Sequence, residues 1–209
     1  MRTKSTNTVQ YGPTVTQEMR EKLSGHRSVT LWFTGLPSAG KSTLAHALEE
    51  RLYLIGCRTI VLDGDNVRHR LCSDLGFSRS DRSENIRRVG EVAKLFMESG
   101  AIVIAALISP FRHDRETVRQ LIGPTDFIEV YCKCSLETCE RRDVKNHYHL
   151  ARLGEIPEFT GITSPYEIPE TPDLTIDTEN EPIDECVSQL LTHLMALRIA
   201  PTLQAARPA

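Results

Sequence analysis

An α/β fold with a five-stranded parallel sheet, helices on both faces and a mobile lid is what this 209-residue sequence predicts. Three observations carry the prediction. Five short, almost wholly apolar segments read as strands buried from both sides. Segments with apolar residues at three- and four-residue spacing separate them, as βαβ units require. A glycine-rich turn lies between the first strand and the next helix, where α/β proteins bind phosphate groups.

The elements follow in order. Residues 1 to about 13 are polar and end in Gly12-Pro13, which suggests a mobile arm. Thr16-Gln17-Glu18 opens a short charged helix that ends near Ser24-Gly25. Val29–Thr34 is the first strand, β-branched and aromatic. Gly35 to Gly40 is a loop. Lys41 to Ile55 is a helix, with Leu44, Leu48, Leu52 and Ile55 on one face and Gly56 as its stop. Thr59–Leu62 is the second strand, ended by Asp63-Gly64-Asp65. A long helix runs from Ser80-Asp81 to about Ser99, with Gly100 closing it. Ala101–Leu107 is the third strand and Arg112–Ile122 a helix; Asp126–Cys132 is the fourth strand, followed by a helix over Ser135–Arg142. Asp143 to Tyr166 is polar and weakly periodic. Leu174–Ile176 is the fifth strand, and a last helix runs from Ile183 to about Ile199. The division is an N-terminal arm and short helix over 1–24, one domain over 25–199 and a flexible tail over 200–209.

Composition narrows the function. Lys and Arg number 25 against 28 Asp and Glu, a net charge of −3. A polycationic nucleic-acid binder needs a basic excess, so that class is excluded. No apolar run reaches the ~20 residues that cross a bilayer, and the N-terminus has no apolar core of a secretory signal. Six cysteines without such a signal read as reduced thiols of a cytoplasmic protein. Cys132, Cys134 and Cys139 match no common zinc spacing; they are expected as small buried hydrophobes on a strand end and the following helix.

Gly35-Leu36-Pro37-Ser38-Ala39-Gly40-Lys41-Ser42 fits G-x-x-x-x-G-K-[ST], and Thr43 continues it into the helix. The fold class is therefore that of P-loop nucleoside-triphosphate hydrolases. The glycines let backbone amides turn towards phosphate oxygens, and the helix N-terminus adds partial positive charge. Lys41 would reach the β- and γ-phosphates of ATP, and the Ser42 hydroxyl would ligate Mg2+. Pro37 removes one amide donor and stiffens the loop. A guanine-reading N-K-x-D element is absent from the sequence, which speaks against a GTPase.

A small kinase must bring its own acceptor site. Asp63 and Asp65 lie at the carboxyl end of the second strand, the edge where α/β sheets bind ligands. Asp63 could hold Mg2+-bound water or take a proton from an attacking hydroxyl. The next stretch is locally basic, with Arg68, Arg70, Arg79, Arg82, Arg87 and Arg88, interrupted by Phe77 and Asn85. Arginine forks suit phosphate or sulfate, and an aromatic face suits a base. Arg68 and Arg82 read as substrate ligands, while Arg70, Arg87 and Arg88 read as an ordinary charged helix face.

Several longer motifs now stand in order: Leu62-Asp63-Gly64-Asp65-Asn66-Val67-Arg68-His69, Leu75-Gly76-Phe77-Ser78, Asp81-Arg82 with Glu84-Asn85-Ile86-Arg87-Arg88, Ile108-Ser109-Pro110-Phe111-Arg112, Arg142-Asp143, Phe159-Thr160-Gly161-Ile162 and Pro165-Tyr166-Glu167. From about residue 10 to 197 the chain resembles the adenylylsulfate kinases. The resemblance implies transfer of the γ-phosphoryl group of MgATP to the 3′-hydroxyl of adenosine 5′-phosphosulfate (APS), giving PAPS and ADP in sulfate activation. It makes Asp63 the base or a metal-linked acid. Asp65, Arg68, Arg82 and Asn85 would hold APS, with Phe77 and Phe159 on either side of its adenine. Ile108 and Ser109 would line the same pocket, and Ser109 is a candidate phosphoserine. Arg142 would stack on the ATP adenine, and Lys145 would reach the transferring phosphate. A homodimer, and functional coupling to an ATP sulfurylase, are implied in the same way.

Residues 143–166 fit a mobile lid, punctuated by Gly154, Pro157, Gly161 and Pro165. The family's K-G-L-Y-K-K-A-R reads here Lys145-Asn146-His147-Tyr148-His149-Leu150-Ala151-Arg152. A glycine hinge and a Lys-Lys pair are lost. An imidazole with the ordinary pKa of about 6.5 is mostly neutral at pH 7, so weaker phosphate binding by the lid, or activity that rises at mildly acidic pH through His149, is expected. Two other readings stay open: a small kinase for another hydroxyl acceptor, such as a sugar acid or nucleoside, and a non-catalytic ATP-binding regulatory module.

Overall fold

The computed structural model describes residues 11–201. Residues 1–10 of the expected arm and 202–209 of the expected tail lie outside the described residues. The elements are α1 (Gln17–Ser24), β1 (Thr30–Thr34), α2 (Lys41–Leu54), β2 (Thr59–Asp63), α3 (Gly64–His69), α4 (Arg79–Glu98), β3 (Ile102–Ala106), α5 (Arg112–Ile122), β4 (Phe127–Lys133), α6 (Leu136–Arg142), α7 (His147–Arg152), β5 (Leu174–Asp177) and α8 (Ile183–Ala196). The sheet is parallel throughout, in the order β2-β3-β1-β4-β5.

β1 is central and wholly buried. Its side chains alternate between the faces, as a pleated strand dictates. Leu31 and Phe33 enter one layer with Leu44, Leu48 and Leu52 of α2 and Leu190 and Leu194 of α8. Trp32 enters the other with Ile86, Val89 and Ala93 of α4 and Val118 of α5. Each buried leucine truncated to alanine in such a layer costs roughly 2–5 kcal/mol. The expected cysteine burial holds: Cys132 and Cys139 are inaccessible and Cys134 nearly so, the first in the α2/α8 layer and the other two in a third cluster.

Local chemistry sets the helix starts. The Thr16 hydroxyl accepts from Met19 N, Ser78 from Asp81 N and Ser135 from Thr138 N. Two short helices depart from the sequence expectation. α3 begins directly where a turn is expected, because the Asp63 carboxylate accepts from Asp65 N and Asn66 N and so caps it. α7 lies inside the expected lid, where the weak period of the sequence shows no helix. Its Tyr148 and Ala151 are buried beside Ala39, Cys134, Cys139 and Phe159.

Because all strands are parallel, their carboxyl ends share one edge. The chain order reverses at β1, which has β3 on one side and β4 on the other. Ligand sites of open α/β sheets lie at such a point.

Candidate active site

A cleft of about 1090 Å3 runs along that edge. Its floor is the loop between β1 and α2. A Cβ on Gly35 would lie 2.7 Å from Cys132 O, so only glycine lets the loop leave β1 so close to β4. Gly40 sits at φ 85°, the left-handed conformation that glycine adopts without strain, and α2 starts at the next residue. Lys41 folds back over the loop and donates to Gly35 O (3.0 Å) and Leu36 O (2.6 Å). Burial pushes its ammonium down to a pKa of about 8. Tyr148 Oη donates to Pro37 O (2.9 Å) and Thr178 Oγ1 to Ala39 O (2.8 Å). The loop is thus tied outwards to α7 and to the exit of β5.

Ser42 and Asp63 meet. Ser42 Oγ donates to Asp63 Oδ2 at 2.6 Å, while Asp63 Oδ1 caps α3. A hydroxyl and a carboxylate are hard oxygen donors suited to Mg2+, which is held by one or two protein groups plus substrate phosphates. The described residues hold no cluster of three or more His, Cys, Asp or Glu that could chelate a metal alone.

Towards β2 and β3 the cleft is lined by Asp65, Arg68, Phe77, Arg82, Asn85, Ile108, Ser109, Phe159 and Thr160. Asn85 is 3% exposed, and its Nδ2 has no hydrogen-bond partner among the described residues. An unpaired buried donor costs about 1–3 kcal/mol, and here it lies on the wall of an open cleft. Arg68 lies over the Phe77 ring, 4.4 Å from the centroid, and donates to Gly76 O (2.8 Å). Arg82 spends all three nitrogens on protein: Nε on Phe77 O, Nη1 on Thr160 Oγ1 and Nη2 on Glu158 O. It ties α4 to the end of the expected lid. Phe77 is exposed and Phe159 buried, the latter edge-on to Tyr148 at 4.9 Å. Ser109 is 2% exposed, and its Oγ accepts from Trp32 Nε1 (3.1 Å). Arg87 and Arg88 pair with Glu84, and Arg88 also with Asp74, as a charged surface does.

The opposite end is lined by Thr43, His46, Arg142, Thr178, Glu181, Ile183 and Cys186. Arg142 donates to Thr178 O (2.8 Å). Lys145 pairs with Asp65 across the cleft. The lid histidine that lines the cleft is His147, edge-on to Phe159, rather than His149, whose backbone N is bonded to Asp143. Sequence reading also missed Tyr148, Thr178 and Glu181. For Tyr148 a signal existed, since it is an aromatic residue inside a polar stretch. For Thr178 and Glu181 none did.

Comparison with known proteins places the chain in a family. The family model "Adenylylsulphate kinase" matches residues 27–177. An adenylyl-sulfate kinase of Acaryochloris marina is 58% identical over 191 residues, covering 91% of this chain and 93% of that one. One from Prochlorococcus marinus is 55% identical over 199 residues, covering 95% and 99%. The Mycobacterium tuberculosis APS kinase, solved in complex with AMPPNP and APS, superposes with a TM-score of 0.79 at 45% identity, covering 81% of this chain and 99% of that one. A gluconokinase from Sinorhizobium meliloti shares the fold alone, at 18% identity and a TM-score of 0.56. More than half of the residues match those two relatives along nine-tenths of the chain, and on that likeness, as on the family model, the chain belongs to the adenylylsulfate kinase family of enzymes.

Proposed function

We propose that this cleft transfers the γ-phosphoryl group of ATP to the 3′-hydroxyl of APS, with the triphosphate over Gly35–Thr43 and APS between Arg68, Phe77, Asn85 and Phe159. The observation that carries the reading is the Ser42–Asp63 contact, which joins the phosphate loop to the carboxylate edge of β2. The cleft continues from there to the unpaired Asn85 amide.

Lys41 exchanges its two loop carbonyls for phosphate oxygens when the nucleotide enters. Its charge then opposes the charge that builds up on the transferring group. Ser42 and Asp63 supply the oxygens that would hold Mg2+, whose chemistry is to neutralise the phosphates. The acceptor hydroxyl attacks phosphorus in line; its O–P bond forms as the bond to the bridging oxygen of ADP breaks. The hydroxyl proton passes to Asp63 Oδ2 or to solvent. Arg68 and Asn85 hold the anionic end of APS, and Arg82 holds the segment around Thr160 against the pocket. Arg142 faces the ATP base, and Lys145 leaves Asp65 for the phosphate as the lid closes and excludes water. The burial of Ser109 Oγ against Trp32 favours a wall-forming role over that of a phosphoryl carrier, since direct transfer needs only positioning and charge. The resemblance to the family implies a homodimer; light scattering of the purified chain tests this.

A coupled ADP-release assay with ATP and APS, run beside gluconate and nucleosides, tests the reaction. Release that depends on APS alone supports it. Release with gluconate would favour a sugar-acid kinase, and no release with any acceptor would favour a regulatory module.

A further inference from the structure

Behind the acceptor wall, outside the cleft, lies Arg115 of α5, 3% exposed. Its guanidinium makes contacts in three directions. Nε donates to Glu129 Oε1 on β4 (2.6 Å), Nη1 to Ser109 O (2.7 Å) and Nη2 to Glu167 O (2.8 Å). The carboxylate neutralises the buried charge through one nitrogen only. The other two hold two loops that are 58 residues apart in the sequence.

The first loop borders the site, since Ile108, Ser109 and Pro110 line the cleft; the second lies outside it, beside Tyr131 and Leu136. Ser109 is held at φ 38°, a conformation that L-residues adopt only under constraint. Trp32 Nε1 fixes its side chain and Arg115 its carbonyl. Glu167 follows the expected lid. Its N donates to Pro110 O, and its carboxylate accepts from Arg112 N, both at 2.8 Å. Next to it, Tyr166 Oη and Thr34 Oγ1 are 3.0 Å apart.

We infer that Arg115 is a positioning residue for the acceptor: its fork locks the strained Ile108–Pro110 wall to the return of the lid at Glu167, so that the pocket width and the lid anchor are set together. The inference rests on the proposed function for the identity of the acceptor. A buried ion pair is weak evidence for stability, whereas a planar fork reaching two carbonyls and a carboxylate is what arginine does and lysine does not.

The test uses the full chain with Arg115→Lys and the double variant Arg115→Met/Glu129→Met, which leaves no unpaired buried charge. Initial rates are measured against APS and against ATP. Trp32, the one tryptophan of the sequence, reports the wall through its emission, and hydrogen exchange follows residues 107–111 and 165–168. In both variants KM for APS is expected to rise about tenfold, with KM for ATP within about twofold of wild type. The Trp32 emission should shift, and both segments should exchange at least about tenfold faster. A lower melting temperature with wild-type KM values and unchanged exchange would overturn the inference and leave Arg115 a structural tie. If the wild type itself does not turn over APS, the proposed function fails. The emission and exchange readouts then decide the inference by themselves: unchanged signals in both variants overturn it.

Discussion

Ser42 Oγ stands 2.6 Å from Asp63 Oδ2, so the first turn of α2 and the end of β2 are in direct contact. One carboxylate therefore serves two purposes, since its other oxygen caps α3. The two are separable. Asp63→Asn keeps an oxygen for Asp65 N and is expected to lower kcat roughly 10²- to 10⁴-fold with little change in melting temperature. Asp63→Ala loses about 1 kcal/mol more through the missing cap. Steady-state kinetics with thermal melts check this, and an Asp63→Asn enzyme within tenfold of wild type removes Asp63 from the chemistry.

Burial holds the Lys41 ammonium at about 8, down from 10.5. The polyphosphate binds the charged form, and the free protein loses that proton as pH rises past 8. Affinity for AMPPNP should therefore fall about tenfold between pH 7 and 9, and Lys41→Met should abolish this slope. For folding the sign is opposite. The unfolded chain keeps the proton up to 10.5, so this group's contribution to stability rises with pH from 8 to 10.5. Calorimetric titrations and pH-dependent melts distinguish the two.

Asn85 carries an unpaired donor into the cleft. Asn85→Leu removes it, and unliganded stability should hold or rise by up to about 1–3 kcal/mol. KM for APS should rise about tenfold, one hydrogen bond's worth. A variant that melts lower and binds APS normally would mean that Asn85 is part of the core and not of the pocket.

Tyr148 Oη donates to Pro37 O and pins α7 to the phosphate loop. Tyr148→Phe should cost about 1 kcal/mol, a drop of about 2–4 °C in melting temperature for a chain of this size. Limited proteolysis should cut near residues 143–155 faster than in wild type. Unchanged cleavage would show that the apolar contacts with Ala39 and Phe159 hold the helix without the hydroxyl.

Local signals were readable from the sequence and distant ones were not. The strands follow from short, almost wholly apolar runs, the longer helices from three- and four-residue apolar spacing, and the phosphate loop from a motif confined to adjacent residues. α3 and α7 have six residues each, too few to show a period. α3 exists because Asp63 caps it, and α7 because Tyr148 finds a buried place under Pro37. The groups that shape the acceptor wall, Trp32, Thr34, Arg115, Glu129 and Tyr166, come from four parts of the chain. Thr34 and Tyr166 are 132 residues apart. Only the fold brings them together, so no spacing in the sequence announces them. The lid histidine shows the same limit: the pattern of substitutions pointed to His149, whereas the helix phase turns His147 to the cleft.

The reversal of strand order at β1 sorts the two substrates by sequence. In the proposed arrangement the residues that face APS, apart from Phe159 and Thr160, come from the stretch between Asp63 and Pro110, on the β2–β3 flank. Those that face the ATP base, apart from Thr43 and His46, come from the stretch between Arg142 and Cys186, on the β4–β5 flank. Acceptor choice is therefore largely contained in one contiguous cassette of the gene. Such a cassette can diverge on the same scaffold while the ATP half stays fixed.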